Sequence, residues 1–466
     1  MRTFFIIWLG QTASFLGSRI TEFGFTLWIF EQTGQATDLA LMGLSFGATT
    51  VLVNLFAGVI VDRFSRQRLI WGTDLLAGLI TVAYLFLFTT NQLQIWHIYI
   101  GMACRGGLNV IQGLAYTTSI PLMVPPQQYV RTSAMQTITL YSGNIIGPGL
   151  GAFLYYNLGI VGIMWLDIIT FIVAVITVLM NEIPQPERPL SPPSPAVQTL
   201  QQKYANRNTP PPRFFSLHIL WLQLKHSTHL LFNDMTYGFS YIYRSPSLRA
   251  LLLTVTFANF FDGFPNALLA PMILTRTNQN ASILALASIG SGIGGITASV
   301  LLTIYGGPRR HRTRIISTAI LGAGAAKTIV ALSRSATGWA TFSGFASATF
   351  PVRGSTDKSI WLEQVPITVQ GRVLAVREIM HQFAFYAGFG LAAPLADYIF
   401  EPALATNGWL TPYLNWLIPA GPGAGFTFVL FCAVLGMALV GLVTLFSPTL
   451  HQLDIQLDTI PTTNPT

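Results

Sequence analysis

The sequence predicts an all-α membrane protein with twelve transmembrane helices in two pseudo-symmetric six-helix halves. Three observations support this fold class. Of the 466 residues, 52% are hydrophobic and 9% are charged, whereas soluble domains carry about 25% charged residues. Apolar runs of about 20 residues, the length that a helix needs to cross a bilayer, recur along the chain. A weak internal repeat relates the two halves.

The apolar runs are continuous and do not alternate in polarity, as the roughly ten-residue strands of a membrane barrel would. Each run is therefore expected to form a helix. In chain order the runs are 4–30, 39–61, 69–88, 95–122, 133–157, 159–180, 248–274, 281–305, 314–333, 338–364, 377–400 and 424–446.

The distribution of positive charge predicts the orientation. With the N-terminus inside, 19 of the 25 Lys and Arg fall in cytoplasmic segments, whereas Arg276 and Arg334 fall outside. This asymmetry is the positive-inside pattern. We therefore expect a multi-pass protein of the plasma (inner) membrane with both termini cytoplasmic. The residues that give the formal charge of +8 lie mostly in the predicted cytoplasmic loops. The net charge therefore does not indicate a nucleic-acid partner.

The chain divides at a change in composition. Residues 1–180 and 248–450 are predicted to form the two six-helix halves. The segment 181–247 begins with proline-rich, polar sequence and is expected to be a cytoplasmic linker. Its second part, 214–247, spaces bulky apolar residues as an amphipathic surface helix would. Residues 451–466 are expected to form a cytoplasmic tail.

The two halves resemble each other in sequence. EQTGQATDLALMGLSFG (31–47) aligns with TRTNQNASILALASIGS (275–291) at an offset of 244 residues. VPPQQYVRTSA (124–134) aligns with VPITVQGRVLA (365–375) at an offset of 241 residues. Two similar halves joined by a linker are typical of transporters whose halves rock about a central site.

A charged segment, GVIVDRFSRQR (58–68), separates the second and third runs. Its glycine would let two helix ends approach closely. Its aspartate would face arginines and a helix N-terminus across the seam between the halves, holding one conformation shut. Anchoring of a loop by positive charge alone is the alternative. The gating candidates are Gly58, Asp62, Arg63, Arg66 and Arg68.

The spacing of Gly58, Asp62, Arg63 and Arg66 resembles the G-x-x-x-D-R-x-G-R-R/K loop of the major facilitator superfamily. Ser65 stands in place of the second glycine, and Arg68 stands one position after the final basic residue of the pattern. GSRITEFGFTLWIFEQTGQA (17–36) and VPITVQGRVLAVREI (365–379) are similar to the branch that contains macrolide-efflux and siderophore-secretion proteins. The resemblance implies a secondary transporter in the lipid bilayer that binds protons and a small-molecule substrate, and we expect it to act as a monomer.

Ionisable residues within apolar runs cost several kcal/mol and by default mark a pathway. Arg19 and Glu22, three residues apart, are expected to share a helix face and partly neutralise each other. The same is expected of Arg353 and Asp357, four residues apart; pairs that only fix helix packing are the alternative. The coupling or substrate candidates are Arg19, Glu22, Asp74, Arg105, Asp262, Arg353 and Asp357, and Asp167 also lies in a run.

Two of these candidates carry more specific expectations. Arg105 resembles the helix-4 arginine of the superfamily, which implies a part in proton transfer. Asp262 stands beside Pro265 in NFFDGFP, where a break in the helix would open the site. We expect Asp262 to carry a proton or cation; capping of the broken helix is the alternative.

The fifth run contains YSGNIIGPGLG (141–151), with Gly143, Gly147, Pro148 and Gly151. The glycines permit close contact with a neighbouring helix, and the proline bends the segment. The arrangement resembles the helix-5 motif of proton-exchanging exporters in the superfamily; generic small-residue packing is the alternative. The resemblance implies export of a small, largely apolar molecule (drug-, macrolide- or siderophore-like) by proton antiport, with proton-coupled uptake as the alternative.

Metalloprotease and nucleotide-binding motifs are absent. The sequence contains no H-E-x-x-H or G-x-x-x-x-G-K-[ST], and we expect neither an enzyme nor an ATP-driven pump, and no cofactor. The seven histidines are scattered, and no metal site is predicted. A transport-inactive sensor or scaffold stays open as the competing function.

Overall fold

The computed structural model describes residues 2–125, 128–183, 235–305, 307–308, 310–406, 408–418 and 421–459. This part of the chain is helical and contains no strand. The first half comprises α1 (Arg2–Thr33), α2 (Ala36–Asn54), α3 (Ala57–Arg63), α4 (Arg66–Thr89), α5 (Ile95–Met123) and α6 (Tyr129–Leu179).

The second half begins with α7 (235–244). It continues with α8 (Pro246–Arg276), α9 (Ala281–Tyr305), α10 (Arg312–Leu332), α11 (Ala336–Gln364), α12 (Ile367–Pro394), α13 (Glu401–Ala403), α14 (Thr411–Leu414), α15 (Ala424–Leu445) and α16 (Pro448–Thr459). A π-helical turn, Leu395–Phe400, extends α12.

Seven helical segments of the described residues are long and apolar enough to cross a membrane. One of them, Ile138–Leu179, has 42 residues, about twice the length that one crossing needs. Gly159 within it has φ 66° and ψ −176°, a left-handed conformation that glycine adopts without steric cost. The segment is therefore two helices joined at a kink. The predicted total of twelve crossings stays a prediction.

The structure describes only part of the predicted linker and tail. Residues 184–234, most of the predicted linker and amphipathic helix, lie outside the described residues. The predicted tail begins inside α16, whose Leu450 and Leu453 are buried against the second half. The Thr313 N–H also donates to Asp454 of α16 at 2.8 Å. The described part of the tail is therefore a docked helix, because its apolar face has a partner.

Hydrophobic clusters show where the halves meet. One cluster contains buried residues of both halves, among them Phe30 and Leu274. At the other end of the bundle, Ile183 belongs to a cluster of the first half and Ile242 to a cluster of the second. We call this end the linker side. The opposite end, where α1 ends and α2 begins, is the closed side, because there a single core joins both halves.

Small residues allow the halves to approach each other. Helix α2 packs against α12, and α6 packs against α9. A Cβ built on Gly47 would lie 1.9 Å from a ring carbon of Tyr386, and one built on Gly292 would lie 2.5 Å from Ile145. Larger side chains at these glycines would hold the halves apart.

Candidate functional site

A cavity of about 720 Å³ lies in the bundle, within the range of about 300–1,000 Å³ that is typical of small-molecule sites. Helices α8, α10, α11 and α12 form most of its wall, and Thr50 of α2 contributes from the first half. Much of the lining is apolar, including Val255, Leu269, Phe350, Phe385 and Leu430.

An ion pair between Asp262 of α8 and Lys327 of α10 lies in this wall. The two side chains are 10% and 15% exposed, so little water screens the pair. Arg353 of α11 lies 3.9 Å from the second carboxylate oxygen and donates to the Asn259 side chain at 2.9 Å. Three helices thus converge on one carboxylate.

The predicted break in the helix that carries Asp262 is absent. Helix α8 runs continuously from Pro246 to Arg276 with Pro265 and Pro271 inside it. A proline within a membrane helix removes one backbone hydrogen bond, and the surrounding helices can accommodate the loss. Asp262 lines the cavity without the break, so capping of a broken helix is not its role in this structure.

Arg353 and Asp357 do not form the direct ion pair that their spacing allows, although the charge of Arg353 still acts on the Asp357 carboxylate. Asp357 pairs with Arg377 of α12, whose Nε donates to it at 3.0 Å, and Trp361 donates to it at 3.0 Å. The spacing of four residues does place Arg353 and Asp357 on one face, but the arginine across the helix interface offers the carboxylate two donors.

Arg19 and Glu22 pair within α1, as predicted, at 2.8 Å. Their side chains are 37% and 38% exposed, and the Arg19 guanidinium lies 5.0 Å from the centre of the Phe15 ring. Exposed pairs of this kind add little to stability.

Arg105 and Asp167 form a buried ion pair at 2.6 Å. The Thr81 hydroxyl donates to Asp167 and accepts from Arg105, each at 2.8 Å, so the cluster joins α4, α5 and α6. Asp74 is also buried and accepts from the Gln11 and Gln112 side chains, each at 2.6 Å. Neither cluster lines the cavity, and both tie together helices of the first half.

The glycines of the predicted helix-5 motif face α1 within the same half. A Cβ built on Gly143 would lie 2.5 Å from Phe15. A Cβ on Gly147 would lie 2.9 Å from Arg19, and one on Gly151 would lie 2.9 Å from Phe23. Pro148 lies inside the same helix. The motif therefore fits α6 closely against the helix that carries Arg19 and Glu22.

The charged segment 58–68 differs from the predicted loop. Gly58 and Asp62 lie in α3, and Arg66 begins α4 with Ser65 as its N-cap. A Cβ built on Gly58 would meet nothing within 4 Å among the described residues, so this glycine makes no close approach to them. The Arg66 guanidinium donates to the Thr118 carbonyl at 2.8 Å, within the first half.

Several polar residues of the cavity wall were missed from sequence. Lys327 is the one cation between residues 315 and 333. A single cation inside an apolar run could have marked it as a site residue. Arg377 stands at the very start of the predicted run 377–400, whereas α12 begins at Ile367 and carries Arg377 inside it. His381 lines the cavity, and its Nε2 has no hydrogen-bond partner among the described residues. Nothing in its sequence context distinguishes it from the other histidines.

A profile of the Major Facilitator Superfamily matches residues 7–389. The chain belongs to the Major Facilitator Superfamily. This confirms the resemblance inferred from the charged segment and from the two-half organisation, and it identifies the bundle as a transporter fold.

The chain is similar to two proteins named for efflux. It is 23% identical over 399 residues to macrolide efflux protein A of Streptococcus pyogenes, covering 85% of this chain and 90% of that protein. It is 21% identical over 448 residues to the multidrug efflux pump Tap of Mycolicibacterium fortuitum, covering 94% of each.

Solved superfamily structures share the fold. A bacterial homologue of the human lysosomal transporter Spinster, inward-facing and unoccupied, matches with a TM-score of 0.63 and 13% identity over 99% of this chain and 98% of that chain. A POT family transporter in complex with 5-aminolevulinic acid matches with a TM-score of 0.67 and 11% identity over 96% of both chains. At these identities the likeness shows the fold alone.

Proposed function

We propose that this superfamily member is a secondary active exporter that moves a small, largely apolar molecule out of the cell by proton antiport through alternating access. The observation that carries the proposal is the Asp262–Lys327 ion pair in the wall of the cavity. The cavity lies in a bundle whose halves share one core on the closed side.

The ion pair offers a simple route for coupling. A proton that reaches Asp262 neutralises the carboxylate and releases the Lys327 ammonium from it. Loss of the proton restores the pair. A buried charge left without its partner costs several kcal/mol, so the two protonation states favour different arrangements of α8 and α10. Such a difference is what a bound proton needs in order to shift the equilibrium between conformations.

The substrate class rests on the cavity lining and on the relatives. The apolar side chains along the wall suit an apolar molecule, since burial of apolar surface drives its binding. The names of the relatives, macrolide efflux protein A and multidrug efflux pump, support the outward direction. We further propose a plasma-membrane location with both termini cytoplasmic, which makes the linker side the cytoplasmic side.

Transport into everted membrane vesicles tests this function. The vesicles, acidified inside, receive a radiolabelled macrolide or the uncharged dye N-phenylnaphthylamine. We expect loading that an uncoupler abolishes and that Asp262→Asn and Lys327→Met each reduce at least tenfold. Arg249→Gln, an exposed cation over the Tyr243 ring, is the matched control and should load normally.

Three results would contradict the proposal. Loading of neither probe would remove the support for an apolar substrate. Loading that survives both substitutions would remove the ion pair from coupling. Proton-driven accumulation in right-side-out cells would favour uptake by symport. Cysteines at Asn91 and Ser65 check sidedness, because in intact cells only Asn91 should react with an impermeant reagent from outside.

A further inference from the structure

Two side chains reach across the closed side and bind helix N-termini of the opposite half. Asp397, in the turn after α12, accepts from the backbone N–H groups of Ala36 and Thr37 at 3.2 Å and 2.6 Å. It also accepts from the Thr37 hydroxyl at 2.6 Å. The residue before α2, Gln35, makes no side-chain cap of its own, so the second half supplies the carboxylate cap for a helix of the first.

The reverse contact starts from α6. The Tyr156 hydroxyl accepts from the N–H of Ala281, the first residue of α9, at 3.0 Å. It donates to the Gln279 carbonyl at 3.1 Å. Here a residue of the first half binds the start of a helix in the second.

The two contacts are related by the internal repeat. Tyr156 and Asp397 stand 241 residues apart, the offset at which 124–134 aligns with 365–375. The helix starts that they bind, Ala36 and Ala281, stand 245 residues apart, within one residue of the other repeat offset. Tyr156 and Asp397 thus occupy equivalent positions in the two halves, and each binds the N-terminus of a helix in the opposite half.

We infer that Tyr156 and Asp397 are paired gate residues, and that breaking their contacts with α9 and α2 is the step that opens the closed side. Each contact satisfies backbone donors that the helix itself cannot pair, and the carboxylate also faces the positive end of the α2 dipole. Both are lost when the halves separate on this side. The inference rests on the proposed alternating access, since only a chain that opens on both sides needs such a gate.

The reactivity of two buried positions tests the gate. Ala40 and Ala285 are buried in the closed-side core, one turn inside the two helix starts, and do not line the cavity. Each is replaced by Cys after Cys104 and Cys432, both exposed, have been changed to Ser. The rate of reaction with a fluorescent maleimide is then measured on the purified protein in nanodiscs, without substrate or proton gradient.

We expect Asp397→Asn and Tyr156→Phe each to raise the reaction rate at Ala40→Cys and Ala285→Cys about fivefold, the population change that matches loss of one typical helix cap. The double variant should raise it further.

Two neighbouring contacts within the first half provide matched controls. Tyr155 donates to Glu31, and Tyr99 donates to Asp38 at 2.8 Å. Tyr155→Phe and Asp38→Asn remove similar groups on the same side of the bundle, but their partners do not belong to the other half. Both controls should leave the rates within about twofold.

Gate variants that react no faster than these controls would overturn the inference. Controls that react as fast as the gate variants would overturn it as well, because the bundle would then be loosening generally. Since no gradient is applied, the result is independent of the vesicle experiment. If the gate variants raise the reaction rate at Ala40→Cys and Ala285→Cys but proton-driven loading of the vesicles fails, the gate is supported and the proposed function is rejected.

Discussion

Two ion pairs of the first half differ in how exposed their side chains are. The Arg19 and Glu22 side chains are more than one third exposed, whereas those of Arg105 and Asp167 are 9% and 0% exposed. The first pair is partly open, so its charges are accessible to a ligand or proton that reaches this face of α1. The second pair is held among three helices, where removal of one partner leaves a buried charge uncompensated.

We therefore predict that Asp167→Ala lowers the free energy of unfolding by about 3–5 kcal/mol. The double replacement Arg105→Met/Asp167→Leu should cost much less, because it removes both charges. Thermal unfolding of the purified protein measures the difference, with Arg19→Gln as the exposed control. Equal losses for Asp167→Ala and Arg19→Gln would show that burial does not govern the effect.

Glycine positions set how closely the helices pack. In α6 a Cβ on Gly147 would come within 2.9 Å of the Arg19 Cβ, whereas in α5 a Cβ on Gly113 would meet no atom of the described residues within 4 Å. The same substitution therefore has opposite consequences in two helices. At Gly147 the added methyl must push α1 away, and at Gly113 it only favours the helical backbone.

We predict that Gly147→Ala destabilises the protein by about 1–3 kcal/mol through overpacking. Gly113→Ala should be neutral or stabilising by up to about 1 kcal/mol. Thermal unfolding of both variants in the same lipid distinguishes the two effects. Equal stability of the two variants would mean that α1 and α6 do not pack as described.

Helix positions were largely predictable from the sequence, whereas side-chain partners were not. The run 281–305 coincides with α9, because a long apolar stretch has few alternatives in a bilayer. The choice of Arg377 over Arg353 as the partner of Asp357 depends on how α11 and α12 are placed, which no local spacing encodes. Asp397 was missed for a similar reason, since its partners lie about 360 positions away.

At the scale of the whole molecule, the two ends of the bundle differ. Both halves contribute to one core on the closed side, whereas each hydrophobic cluster on the linker side belongs to a single half. Proton-driven alternating access requires that these two ends exchange roles. Neutralising the carboxylate of the Asp262–Lys327 pair is the change that should bias the exchange.

Spin-label distances at both ends measure this exchange directly. One pair of labels at Gln92 and Arg334 spans the closed side, and a second pair at Arg68 and Arg310 spans the linker side; all four positions are exposed. In the unsubstituted background we expect a short distance on the closed side and a long one on the linker side. Asp262→Asn, which mimics protonation, should lengthen the first and shorten the second. Distances that stay fixed, or that change in the same direction at both ends, would contradict proton-driven alternating access.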